Sequence, residues 1–287
     1  MNATVTPPPA APAASSPAPA PHRRGPGKPV AIVLGVIGAI VLLGFGFDAV
    51  RSTVSATTRV SDVQTASADG LASLDVRAEA SSFTIEFGDV ADATLEVSDA
   101  RGEWTLDRSG DELVVASRDG WFGGGRGWWN WGDDEERVVL TLPEVLRDAG
   151  LDADLELAAG RLEAEGAFGS LVLDVGAGGM EISGSAETLE VDLSAGDARF
   201  DLADVSRADL SVSAGRLQGE LTGAAPDTVG VVVSAGSVDL TLPAASYEVR
   251  SEVSAGSFDS GLEESPSSRH QVDVDVSAGH VVLRDAG

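Results

Sequence analysis

The sequence predicts an all-β chain: a single-domain β-solenoid or β-helix-like stack of strand-corner-strand repeats, preceded by one transmembrane helix. Three observations carry this. A corner glycine recurs seven times, at Gly160, Gly178, Gly196, Gly215, Gly236, Gly256 and Gly279, at spacings of 18, 18, 19, 21, 20 and 23 residues. Apolar residues alternate on both sides of each corner, at the period of two that a strand with one buried face requires. Upstream of the repeats, Val30 to Phe47 holds 18 residues without a charge, just enough for a helix to cross a bilayer.

The repeat has an internal phase shift. Three and five residues before the glycine stand pairs such as Val175 and Leu173, Leu193 and Val191, Val212 and Leu210, and Val276 and Val274. Two and four residues after it stand Met180 and Ile182, Ala198 and Phe200, Leu217 and Gly219, and Val281 and Leu283. Odd distances become even ones, so an unbroken strand would turn half of these residues to water. The chain must bend at the glycine, whose backbone tolerates the required angles. The alanine before each glycine (Ala159, Ala177, Ala195, Ala214, Ala235, Ala255, Ala278) is expected to fit where the coil narrows. Five units carry a serine before that alanine, Ser194, Ser213, Ser234, Ser254 and Ser277, whose stacked hydroxyls are expected to bond neighbouring backbone. Five equivalent serines with no base beside them do not describe a nucleophile. A unit of about 20 residues cannot bury its own apolar face, so units stack.

Residues 1–29 are rich in Pro and Ala without an apolar period and read as a disordered tail. Asn2-Ala3-Thr4 matches a glycosylation sequon by chance alone, and Arg23-Arg24 precedes Gly-Pro-Gly rather than the apolar run of an export signal. Residues 30–47 are the expected transmembrane helix; the rival, a cleaved signal peptide, lacks a convincing small-x-small site after Phe47. Arg23, Arg24 and Lys28 precede the span, which places the N-terminus in the cytoplasm and the C-terminal domain outside the cell, at the cell membrane. Residues 48–70, Ser/Thr/Ala-rich, read as an extracytoplasmic stalk, and residues 71–287 as the repeat domain. Its first coil is degenerate, with a Ser81-Ser82 corner, and further strands are expected near Ala93–Val97, Glu103–Leu106, Glu112–Ser117 and Arg137–Leu142.

From Asp48 onward 16 arginines face all 46 acidic residues of the chain, a balance that keeps the surface soluble and repels nucleic acid. There is no cysteine, hence no disulfide framework and no thiolate metal site. No cofactor or metal is expected. Asp133-Asp134-Glu135-Glu136 lacks EF-hand spacing and reads as a solvated charge run, and Asp174, Asp192 and Asp275 as outward surface acids. His270 and His280 have no carboxylate spacing that suggests a general acid-base pair, and no catalytic residues are expected.

The Trp/Gly-rich loop 119–136, DGWFGGGRGWWNWGDDEE, breaks the pattern. It holds four of the five tryptophans: Trp121, Trp128, Trp129 and Trp131, beside Phe122. It lacks the Lys and Ser/Thr of a phosphate loop. Two readings stay open. The aromatics fold back over a sheet edge, or they form a contact surface for an envelope glycan, lipid headgroup or membrane-protein partner.

The strand-Pro connector LTLPEVL and the repeats LEVDLSAGDARFDL, LSVSAGRLQGEL, VVVSAGSVDLTL and VDVSAGHVVL resemble those of the bacterial DUF4097 family, over about residues 70–287. Members of that family are regarded as adhesins, some encoded beside envelope-stress systems. The resemblance implies a β-repeat fold and a non-catalytic role in envelope interaction or adhesion, with an accessory role in envelope-stress signalling through a partner protein as the alternative. It carries over no catalytic residues. The sequence leaves the oligomeric state undetermined.

Overall fold

The alternation becomes strands in which each coil lies in register on the next. The computed structural model describes residues 62–99, 102–118 and 136–286. The expected tail, the span 30–47, the first part of the stalk and residues 119–135 of the Trp/Gly-rich loop lie outside them. Among the described residues no helix is long and apolar enough to cross a membrane. The described chain is all-β, with thirteen strands and one 3-10 turn, Glu144–Leu146, after Pro143.

The strands are β1 (Asp62–Ala66), β2 (Ser73–Gly88), β3 (Ala93–Ser98), β4 (Glu103–Ser109), β5 (Glu112–Arg118), β6 (Arg137–Pro143) and β7 (Leu151–Ala203). There follow β8 (Arg207–Thr222), β9 (Thr228–Val233), β10 (Ser237–Leu242), β11 (Ser246–Ser260), β12 (Glu263–Glu264) and β13 (Gln271–Asp285). The sheet therefore begins at Asp62, inside the stretch expected as stalk. β7 alone runs 53 residues, long enough for successive coils 18 residues apart.

Parallel ladders join coil to coil: β2 to β7, β7 to β8, β8 to β9 and β10, these two to β13, and β13 to β11. Inward residues stack into one core; Leu155, Leu157, Val175, Leu193, Leu217, Val233 and Val276 are all fully buried. Large and small residues fit across coils. A Cβ on Gly219 would strike the Phe200 ring, which occupies that space.

The corner differs from the sequence-based expectation in where its alanine and serine side chains lie. In the β2–β7, β7–β8 and β11–β13 ladders the pairing runs through the corner, omitting one residue of each strand: Glu79 and Ala158, Ser194 and Ser213, Ser254 and Ser277. This omitted residue and the alanine after it both face outward, which is how the parity flips. Six of the seven corner alanines are therefore exposed and Ala159 is half-buried, so they do not fill a narrow interior. The five corner serines are exposed too, and among the described residues their hydroxyls bond no backbone. Neighbouring coils already satisfy that backbone: Ser234 N–H donates to Val212 O at 2.9 Å, Ala235 N–H to Ser213 O at 2.8 Å, and Ala278 N–H to Ser234 O at 2.8 Å.

The order of stacking also departs from the order of the chain. Corners follow sequence from Ser81 through Gly160, Gly178, Gly196 and Gly215 to Gly236, but the next is Gly279 and the last is Gly256. The C-terminal strand β13 is inserted between β10 and β11. β11, not the last strand, forms that end of the ladder.

Antiparallel strands meet the other end. β4 and β5 form a hairpin, β5 and β6 both lie on β2, and β3 joins β6 to β1. The Gln64 side chain links β1 to β4, donating to Trp104 O at 2.7 Å and accepting from Leu106 N–H at 3.0 Å. At this end β1 and β4 are each paired in a ladder on one side, and the Gln64 side chain bridges them.

Candidate functional site

β5 aligns with the first half of β2, ending at Arg77 opposite Ala116, and β6 with the second half, beginning at Ser82 opposite Arg137. Between these paired positions β5 and β6 are separated by residues 117–136, twenty residues where β2 has four, 78–81. The Trp/Gly-rich segment is thus an insertion in the sequence between β5 and β6, relative to the Ser81 corner of β2.

Both ends of the insertion are pinned. At its start, Glu79 N–H donates to Ser117 Oγ at 3.0 Å, and Ser117 Oγ donates to Arg77 O at 3.3 Å. At its end, Ser82 N–H donates to Glu136 O at 2.8 Å, and the Trp104 indole N–H donates to Glu136 Oε1. Glu136 is 5% exposed, which corrects its reading as part of a solvated charge run: a carboxylate is tolerated there because a buried donor meets it. Trp104 also packs on Phe83, ring centroids 5.6 Å apart. Neither anchor was singled out from sequence. The alternation of Trp104 with Leu106 in β4 marks the indole as inward, but nothing local marks Glu136.

Trp121, Phe122, Trp128, Trp129 and Trp131 lie outside the described residues. The corner glycines Gly160, Gly178, Gly196, Gly215, Gly236, Gly279 and Gly256 line up in one row, with Ser81 continuing it toward the insertion. Beside this row an open groove of about 650 Å³ passes over Gly178 and Gly179, flanked by Arg161, Arg199 and Arg216. These arginines are engaged, Arg216 with Asp197 at 3.3 Å, Arg199 with Gln218 at 2.6 Å and Arg161 with Glu163 at 4.0 Å.

The remaining titratable groups do not converge on a reaction. Ser257 Oγ and His280 Nδ1 lie 2.5 Å apart on the surface, yet among the described residues no carboxylate bonds the other ring nitrogen, so the pair lacks the orienting third member of a nucleophilic triad. His270 Nδ1 bonds Pro226 O at 2.7 Å, and its ring packs against Tyr247 at 5.9 Å. Asp174 has its pKa raised, first by burial and then by Asp192 and Asp154. Asp75 is raised by burial too, against the lowering pull of Arg77. Among the described residues no cluster of three or more His, Asp or Glu is placed to hold a metal ion.

No family model matches the chain, so the resemblance of its repeats to the DUF4097 family remains one of sequence pattern. No curated protein matches it either. Similar solved structures include a protein from Clostridium sporogenes provisionally described as a cell adhesion protein, 9% identical, covering 79% of this chain and 100% of that one at a TM-score of 0.34. A protein from Bacteroides fragilis, provisionally described as an adhesin, is 10% identical over 79% of this chain and 98% of its own at 0.40. A protein from Parabacteroides distasonis, provisionally described as lipid binding, is 11% identical over 78% and 97% at 0.42. At this identity and overlap the likenesses assign this chain neither a ligand nor an activity.

Proposed function

We propose that the chain is a non-catalytic, membrane-anchored β-solenoid that is displayed outside the cell and binds an envelope glycan or membrane protein through Trp121, Phe122, Trp128, Trp129 and Trp131. The solenoid reading is supported by parallel ladders that run from β2 to β11 with their corners in one row. The anchor reading rests on the uncharged run of residues 30–47, and the outward orientation on the basic residues before it.

One observation supports the binding role: the register of β5 and β6 on β2 brings the residues that flank the aromatic insertion, Ser117 and Glu136, to the Ser81 corner, each held there by hydrogen bonds. A corner faces outward in this fold, and an insertion there leaves the ladder undisturbed, as binding loops on a rigid scaffold require. Aromatic side chains bring large contact area at small entropic cost. No observation favours the signalling alternative.

In-cell crosslinking of the tagged full-length protein, with mass spectrometry of the adducts, tests this. A partner or glycan adduct lost from a Trp128→Ser/Trp129→Ser variant of unchanged melting temperature is expected. The same adducts in both proteins overturn the role of the loop.

A further inference from the structure

Among the described residues the end of the ladder formed by β11 is open. On one side β11 pairs with β13 at twelve positions; on the other, described residues pair with it only at Ser246 and Tyr247, through β12. Glu248 N–H donates to His270 O at 2.8 Å, which sets the phase of the strand. The backbone groups of Glu248, Arg250 and Glu252 therefore turn toward β13, and those of Val249, Ser251 and Val253 toward the open edge. Tyr247 obeys the same phase, its C=O accepting from Ser265 N–H at 2.8 Å on the β12 side.

The side chains along this edge are unfinished in the same way. Val253 is 43% exposed, whereas the residues at its position in other coils, Leu157, Val175, Leu193, Val212, Val233 and Val276, are at most 1% exposed. On the outer face Arg250 pairs with Glu248 at 2.6 Å and Asp273 at 3.5 Å. Glu252 instead lies opposite Asp275 in the ladder, like charge on like charge, and among the described residues neither has an ion-pair partner. What the edge lacks is another strand that brings an apolar residue to Val253 and a cation to Glu252.

The sequence of the edge supplies both. Val249-Arg250-Ser251-Glu252-Val253 is symmetric in chemistry about Ser251. We propose that β11 pairs antiparallel with β11 of a second copy of this chain, on a two-fold axis at Ser251. In that register Val249 faces Val253 of the second copy, and Arg250 faces Glu252 of the second copy, twice each. The open backbone groups at residues 249, 251 and 253 meet their equivalents as hydrogen-bonded pairs, giving about six hydrogen bonds. Arg250 and Glu252 fall at the non-hydrogen-bonded positions, where side chains approach most closely. Serine at the axis is small enough to meet its own copy. Pairing spans 248–254 and stops where β12 begins to cover the strand. An interface of this kind is isologous and closes at two chains. It is independent of β5 and β6, the strands that flank the Trp segment in sequence, which lie at the other end of the ladder.

Sedimentation of the detergent-solubilised full-length chain tests the pairing, with melting followed in parallel. Wild type is expected to sediment as two chains. Arg250→Glu and Glu252→Arg each bring like charges face to face and are expected to weaken association at least tenfold, and the double exchange to restore it. Ser251→Pro removes an amide that points only to the edge, so it is expected to give one chain of unchanged melting temperature. Amide exchange at Val249, Ser251 and Val253 is expected to be slow in wild type, and at Val249 and Val253 fast in Ser251→Pro, which has no amide at position 251. Wild type sedimenting as one chain overturns the proposal, as does association indifferent to all four variants. Slow exchange at those amides in a one-chain species also overturns it, and assigns the edge to a different strand.

Discussion

The Trp104 indole donates its N–H to the Glu136 carboxylate, and both residues are buried. Their relationship joins hairpin strand β4 to the last residue of the aromatic insertion, 32 positions on. Trp104→Phe keeps the ring against Phe83 but leaves a buried carboxylate short of a donor. It is expected to cost about 2 kcal/mol in urea unfolding. The same variant is expected to speed amide exchange at Ser82, whose N–H is held by Glu136 O. A variant as stable as wild type would mean that the contact does not hold the base of the insertion.

The row of corners gives a sharper test. At Gly196 φ is +137°, and a Cβ would collide with the Gly178 carbonyl oxygen of the coil beneath. Backbone of one coil here rests on backbone of the next, so no side chain can move aside. Gly196→Ala is expected to cost at least 3 kcal/mol or abolish folding. Gly110, in the β4–β5 turn, also has a positive φ, +70°, but a Cβ there meets nothing within 4 Å. Gly110→Ala is expected to cost only the local strain, about 1–2 kcal/mol. Equal melting temperatures for the two variants would contradict close stacking of the corners.

Alkaline pH isolates one residue, because the chain has a single tyrosine. Tyr247 is fully buried, its hydroxyl donating to Pro243 O at 2.7 Å. Burial, with a smaller push from Asp285, raises its pKa from the ordinary 10.0 to about 12. The unfolded chain ionises first as pH rises. Stability from this group is therefore complete below pH 10 and lost as pH climbs through about 12, by at most about 3 kcal/mol. Tyrosinate absorbance should appear only well above pH 10, and Tyr247→Phe should flatten the alkaline loss of stability. Titration near pH 10 in the folded protein would contradict this.

Asp174 gives the opposite kind of test, at acid pH. Its raised pKa, from burial first and then from Asp192 and Asp154, means that the folded state takes up a proton before the unfolded one. Stability from this group therefore rises as pH falls through the folded pKa toward the ordinary value of 3.8. Asp174→Asn is expected to stabilise at neutral pH by a few tenths of a kcal/mol, since the residue is solvent-exposed, with the advantage gone near pH 4. A variant less stable than wild type at neutral pH would contradict the repulsion along this column.

Much of the fold is legible in the sequence because burial leaves a periodic trace. Leu173 and Val175 before Gly178, with Met180 and Ile182 after it, identify both faces and the bend between them, and all four are buried in the structure. The Ser81 corner of the degenerate first coil was legible in the same way. The corner Ala and Ser side chains were misplaced because the flip in parity, which the sequence does show, is made by turning two consecutive residues outward. Which groups then satisfy the corner backbone depends on the neighbouring coil.

Which coil lies beside which was the other thing only the tertiary structure decided. Alternation records the face that a residue presents to the core and carries nothing about the strand across the hydrogen bonds, a contact between residues far apart in the chain. Thus the sequence alone set the all-β character, the positions of the corners and the isolation of the aromatic segment from the repeats. The structure decided that β13 inserts before β11, that Glu136 is buried under Trp104, and that Val249 to Val253 form an edge. The same five residues in an interior coil would be paired on both sides, and their symmetry would have no consequence.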